Sequence, residues 1–282
     1  MKTIVTGGSG YLGTHVRRYF RADDLSRRSG SSVLDPAGLS KLEDYDLVIH
    51  LAAHLDKSPD AAEEVFLTNV EGTVNVLKNI REDAAFIFAS TKDVYGRFAD
   101  GFAEVPESCQ TLFAGQSALE WSKLIAEKYV EYFAHQRRFR SCIFRLSNIY
   151  APNSEGNTPG FVGAFVDALN RGEPVRLPGG GSPIRDLLHV DDLAAACEAF
   201  STSVIRHGTY NLGGGRNNAA SIKELVEKLE AVSRLQMVLS DETLPAPVPF
   251  RYVSDLSLII QELDWEPKIG IDSGLGSLFG KQ

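Results

Sequence analysis

TGGSGYLG (residues 6–13) stands between the apolar run MKTIV and the helix-patterned THVRRYF, and its reading decides the fold. Gly7, Gly10 and Gly13 give the spacing G-x-x-G-x-x-G directly after a first strand. Glycines there let the backbone turn tightly, approach a pyrophosphate and seat the next helix on a sheet. The helix N-terminus adds amide donors and a favourable dipole. A merely structural turn can carry the same glycines, but the place of this one, between a first strand and a helix, points to a dinucleotide site.

Outward from that turn the pattern repeats. DLVIHLAA (46–53), AAFIFAST (84–91) and RSCIFRL (140–146) are short apolar runs rich in branched and aromatic residues, as buried parallel strands require. Between them, VFLTNVEGTVNVLKNI (65–80) and ALEWSKLIAEKYVEYFAHQ (118–136) carry apolar positions at helical spacing. The expected fold is α/β: a doubly wound parallel sheet of the Rossmann type over 1–150. A smaller C-terminal α/β substrate lobe is expected over 151–282, with part of 186–212 returning to the first domain. APNSEGNTPG (151–160) and LPGGGSP (177–183) read as loops, and SIKELVEKLEAV (221–232) as a helix.

Composition narrows the partners. The 282 residues are 43% hydrophobic, enough for a substantial core, and 29 basic against 37 acidic residues leave a net charge of -8. With no long basic run, a small molecule is expected rather than nucleic acid. Cys109, Cys142 and Cys197 have no metal-ligand spacing and read as reduced thiols, which suits the cytoplasm. No run of about 18 apolar residues appears, so no membrane span is expected. His50 and His54 lack a further ligand at metal spacing, so no metal is expected either.

The second strand should end near DDLSRRSG (23–30). There the carboxylate usual for an adenosine ribose 2′-hydroxyl is not evident, and Ser26, Arg27 and Arg28 offer a phosphate site instead, which favours NADP. Asp23 and Asp24 keep NAD open, because the strand is short and its register uncertain.

Seven motifs in order give the chain a resemblance: TGGSGYLG, HLAA (50–53), NVEGTVNVL (69–77), STKDVYG (90–96), SKLIAEKY (122–129), RLSNIYAP (145–152) and RDLLHVDDLA (185–194). Together they resemble the extended short-chain dehydrogenase/reductases, in particular the NAD(P)-dependent nucleotide-sugar epimerases and dehydratases. YNLGGGRNNAASIKEL (210–225) and RYVSDLSLIIQELDWEPKIG (251–270) look most like the CDP-tyvelose 2-epimerase branch.

The resemblance implies cofactor contacts from Gly7, Gly10, Tyr11, Leu12, Gly13, Leu51, Ala52, Ala53, Asn69 and Lys123. It implies substrate contacts from Asn148, Arg185 and Arg251, whose amide and cations suit the diphosphate of a nucleotide sugar. A homodimer through the helices around Asn75 and Ile125 is also implied. Thr91 matches the family hydroxyl and Lys123 the family lysine, but the tyrosine four residues before that lysine is replaced by Leu119. Positions 119 and 123 share a helix face, and leucine transfers no proton.

Lys92 and Asp93 are the candidates to take the proton over; otherwise they form a solvated loop pair. Glu120 is expected to point outward from its helix and Tyr95 to pack within the VYG turn. His189 and Asp191 are expected to be architectural. The expected activity is an NAD(P)-dependent epimerase, dehydratase or reductase with an altered proton-transfer set. The alternative is a catalytically lapsed protein that binds a nucleotide sugar or NADP(H) as a sensor or subunit.

Overall fold

In the computed structural model, which describes residues 1–153, 157–243 and 248–279, buried apolar runs are strands and helically spaced stretches lie across their faces. β1 (Thr3–Thr6) leads through the glycine turn into α1 (Tyr11–Phe20), followed by β2 (Asp23–Leu25) and β3 (Leu47–His50). An unbroken helical segment comes next: α2 (Ala62–Phe66), a π-helical turn over Leu67–Glu71, and α3 (Gly72–Leu77). β4 (Ala85–Thr91), α4 (Ala118–Arg137) and β5 (Arg140–Leu146) continue the alternation.

Farther on lie β6 (Asn148–Tyr150), α5 (Phe161–Arg171), β7 (Pro174–Pro178), β8 (Ile184–His189), α6 (Val190–Thr202) and β9 (His207–Leu212). β10 (Ala219–Ser221), α7 (Ile222–Ser233), β11 (Val238–Glu242), α8 (Ser257–Leu263) and α9 (Ile271–Gly276) complete the order.

The main sheet runs β2-β1-β3-β4-β5-β9 with every pairing parallel. Alternation along each strand feeds two cores. Val5, Ile49, Ile87 and Phe144 pack with Val16 of α1 and Leu193 and Phe200 of α6. Ile4, Val48, Phe86 and Phe88 pack on the other face with Val76 and Leu77 of α3 and Ala126 and Val130 of α4. Helices on both faces make the sheet doubly wound. Its order reverses at β1, between β2 and β3, so a crevice is expected at the carboxyl ends there.

The second lobe holds the small sheets β10-β8-β6 and β11-β7. Val162 and Val166 of α5, Leu177 of β7 and Leu225 and Leu229 of α7 share its core. α6 and β9 fall between these elements in sequence yet belong to the first sheet, and Ile259, Leu263 and Trp265 also pack into the first core. Of the loop read at 151–160, residues 154–156 lie outside the described residues. All three cysteines are free and buried. Among the described residues no helix is long and apolar enough to cross a membrane.

Candidate functional site

The glycine turn is built for close approach. Gly7 has φ +70°, and a Cβ on it would lie 2.8 Å from the Ala52 backbone; one on Gly13 would lie 2.0 Å from the Gly7 carbonyl oxygen. The turn, the end of β3 and the first turn of α1 therefore meet backbone to backbone, with Leu51 N donating to Thr6 O at 3.0 Å. Ala53 follows in the same loop, and Leu12 packs on the first core. Tyr11 turns toward the second lobe, its hydroxyl 2.8 Å from both Ala151 O and Ala151 N. The cradle fits a dinucleotide pyrophosphate: its glycines allow close backbone approach, and it ends at a helix N-terminus without acidic residues in its first turn.

β2 resolves the open register of its end. It does present carboxylates: Asp23 accepts from the Tyr45 hydroxyl at 2.7 Å, and Asp24 lies against the glycine turn. Asp24 Oδ2 accepts from Ser9 Oγ at 2.5 Å and Ser26 Oγ at 2.9 Å, while its Oδ1 is buried without a hydrogen-bond partner. Ser26 caps the 3-10 turn Arg27–Ser29. Arg28 reaches back over the glycines to Ser9 O at 3.1 Å and across to Asn157 Oδ1 at 2.9 Å.

Beside the cradle, His50 is buried with Nδ1 2.6 Å from Thr6 Oγ1 and Nε2 2.9 Å from Thr73 Oγ1. Burial, with the Lys123 charge nearby, pushes its imidazole down to about 3, so it stays neutral. Asn69 sits in the π-helical turn, a feature frequent at functional sites. Its Oδ1 accepts from His54 N at 2.7 Å and its Nδ2 donates to Ser122 Oγ at 2.9 Å, so it ties the loop after β3 to α4.

At the end of β4, Thr91 Oγ1 accepts from Asp93 N at 3.1 Å, which leaves its own proton to donate. Lys123 reaches the same strand: Nζ donates to Ala89 O at 2.7 Å and lies 4.8 Å from the Phe88 ring centroid. Burial lowers its ammonium to about 8, against the opposing pull of Glu127. Leu119, one turn earlier, is buried in a cluster with Ala61, Val65 and Ala118.

From Glu120, next in sequence, runs a chain of alternating charge that the sequence did not disclose. Lys57 Nζ lies 2.6 Å from Glu120 Oε1 and 3.2 Å from Asp93 Oδ2, and Asp93 also pairs with Lys92. Burial would raise the Asp93 carboxyl, but the Lys92 and Lys57 ammonium groups outweigh it and hold it far below the usual carboxylate range. Lys92 is buried, 5.2 Å from the Tyr252 ring centroid, so it and Asp93 are not a solvated loop pair.

Glu120 is buried too, contrary to expectation, because Ser117 and Glu120 form a capping box that folds the carboxylate back onto Ser117 N at 2.7 Å. That S-x-x-E spelling was the available signal for Glu120; Lys57 had none. Tyr95 packs as expected, its hydroxyl donating to Asn211 Oδ1 at 2.7 Å and accepting from Arg145 at 3.0 Å. Burial raises that phenol to about 12, despite the nearby Arg145 charge, so it is no proton carrier at neutral pH. His189 caps α6 by accepting from Asp191 N at 3.2 Å.

β8 places Arg185 between the partners of the other two: Asn148 is in register with Leu187, two residues on, and Arg251 bridges Ile184, one residue before. Asn148 Oδ1 is buried and has no hydrogen-bond partner. Arg185 is buried, with Nη1 donating to Ile184 O at 2.8 Å and Pro249 O at 3.2 Å; Arg251 Nε donates to Ala103 O at 3.2 Å. Burial lowers Arg185, and the Asp93 and Asp100 carboxylates oppose that shift, which couples it electrostatically to the end of β4. Among the described residues no three His, Cys, Asp or Glu side chains gather as a metal site.

Residues 3–213 match the model of the NAD dependent epimerase/dehydratase family. The chain is 25% identical to the CDP-paratose 2-epimerase of Salmonella typhi, with 99% of this chain and 98% of that one aligned. It is 28% identical to a dTDP-glucose 4,6-dehydratase of Neisseria gonorrhoeae, over 96% of this chain and 92% of that one. In fold it is similar to the UDP-glucuronic acid 4-epimerase from Bacillus cereus, solved with UDP-glucuronic acid and NAD. The TM-score is 0.85 at 21% identity, covering 99% of this chain and 98% of that one.

Proposed function

Because this chain belongs to the NAD dependent epimerase/dehydratase family, we propose that it binds a nicotinamide dinucleotide and a nucleotide-diphosphate sugar. On that sugar it performs an epimerase, dehydratase or reductase reaction with an altered proton-transfer set. The observation that carries this reading is the convergence of Thr91 and Lys123 on the end of β4, with apolar Leu119 in place of the phenol.

When bound, the dinucleotide supplies a hydride acceptor; binding, orientation and proton movement fall to the chain. The Thr91 hydroxyl donates to a sugar oxygen. Asp93, held ionised between two lysines, is a poor base, so the proton passes instead through Lys123. An amine lowered to about 8 populates both protonation states near neutral pH, as a proton carrier requires. Asn148 and Arg185 hold the diphosphate, with Arg251 beside them.

The unpartnered Asp24 oxygen supports NAD over NADP, reversing the preference suggested by Arg27 and Arg28, because a ribose 2′-phosphate there would meet a like charge. Ile125, Tyr129 and Tyr132, exposed on α4, support a homodimer.

The test is calorimetric titration with NAD and a panel of nucleotide sugars, followed by product analysis. Turnover of a bound nucleotide sugar is the expected result. Binding of both ligands without turnover would favour the second reading, a lapsed binding protein, which the burial of Leu119 supports. Failure to bind any nucleotide sugar would reject the first reading, and failure to bind a dinucleotide as well would reject both.

A further inference from the structure

A cavity of about 210 Å³ opens at the amino ends of β5 and β9, at the opposite end of the parallel sheet from the glycine turn. Glu131, His135, Ser141, Ile143, His207 and Thr209 line it, contributed by the last turns of α4 and the two strands. The imidazoles of His135 and His207 lie with ring centroids 4.5 Å apart and planes at 48°. Ser141 Oγ stands 3.0 Å from His207 Nδ1, which leaves Nε2 of that ring for another partner. Nothing in the cofactor or sugar site uses these side chains.

We propose that His135 and His207 form a binding site for a divalent transition-metal ion of the zinc class. Zinc bound about 2.0–2.1 Å from one nitrogen of each ring brings the centroids to roughly 5 Å at a tetrahedral angle, close to the separation of these two rings. Ser141 is the outer partner that orients the His207 ring, a recurrent arrangement behind metal-bound imidazoles. Glu131 lies one helical turn before His135 and is held by Lys128 at 3.1 Å, so the site is a two-imidazole one completed by water. A bound ion bridges the end of α4, the helix that carries Lys123, to the edge strand β9.

The experiment is titration of the full chain with zinc chloride, read by calorimetry and by the histidine ring-proton NMR signals. One zinc per chain is expected, perturbing two of the six histidines. His135→Gln and His207→Gln are each expected to weaken binding at least tenfold while keeping the metal-free circular dichroism spectrum and melting temperature. Unchanged zinc affinity in either variant would overturn the proposal. So would perturbation of histidines other than these two, a readout that does not depend on the variants folding.

Discussion

Asp93 Oδ2 lies 3.2 Å from Lys57 Nζ, and the same carboxylate pairs on its other side with Lys92. A carboxylate gripped by two cations is stabilised in its charged form, so its basicity is surrendered to the scaffold. Asp93→Asn is expected to lower turnover less than tenfold, short of the 10²- to 10⁴-fold typical of a lost general base. It should instead destabilise the fold by about 1 kcal/mol at neutral pH. The folded carboxyl is depressed, so this stability is present above the unfolded value, about 3.9, and is lost as pH falls through the lower folded one. The gap between wild type and variant should close in acid, as denaturant melts at several pH values will measure.

Lys123 gives a rise of the same sign at higher pH, but here burial costs stability rather than adding it. Its folded value is lowered to about 8 from an ordinary value of about 10.4, so between the two the unfolded chain binds more protons and stability rises with pH. Lys123→Met should abolish that rise in the cofactor-free protein and eliminate turnover. A pH–stability series on both proteins checks the first, and product assays the second.

Leu119→Tyr restores a phenol one turn before Lys123. The enlarged side chain must leave the cluster with Ala61 and Val65 or overpack it, at a cost of about 1–3 kcal/mol. The expected outcome is a lower melting temperature together with faster sugar oxidation, followed by nicotinamide absorbance. A variant that binds both ligands and gains no oxidation would favour a pocket rebuilt for binding.

Asp24→Ser removes the carboxylate beside the glycine turn while keeping a hydrogen-bonding group for Ser9. Wild type is expected to bind NAD more tightly than NADP, and the variant to shift that ratio toward NADP by about tenfold, in line with one removed charge at close range. Titration of both proteins with both dinucleotides measures it.

Arg185→Ala should weaken nucleotide-sugar binding by about 1–3 kcal/mol, the scale of a lost hydrogen bond to a charged group, and leave dinucleotide affinity nearly unchanged. Parallel calorimetry separates the two. Equal weakening of both ligands would mean that Arg185 acts through the fold.

The fold was legible because its signals are local and repeated: the spacing of Gly7, Gly10 and Gly13, the buried runs, and the helical periods between them all point to one topology. The site was legible where a residue's place follows from a strand end, as with Thr91, or from a helix face shared with a neighbour, as with Lys123. It was open at β2, because a strand of three residues gives no alternation from which to choose between Asp23 and Asp24 and the arginines that follow. Nor could Lys57 be foreseen, since its partners Asp93 and Glu120 come from two other elements and meet it only once the loop after β3 folds over them. At Glu120 the capping box overrides outward helical phase by turning the carboxylate back onto Ser117.

Ile259, Leu263 and Trp265 share a buried cluster with Val5 and Val16, which flank the glycine turn on β1 and α1. A chain cut after β9 would keep every strand of the main sheet and still expose that cluster to water. The half that carries the main sheet is thus no transplantable module: grafting it alone, or cutting the chain after β9, would strip the packing behind the first strand as surely as a lesion beside it.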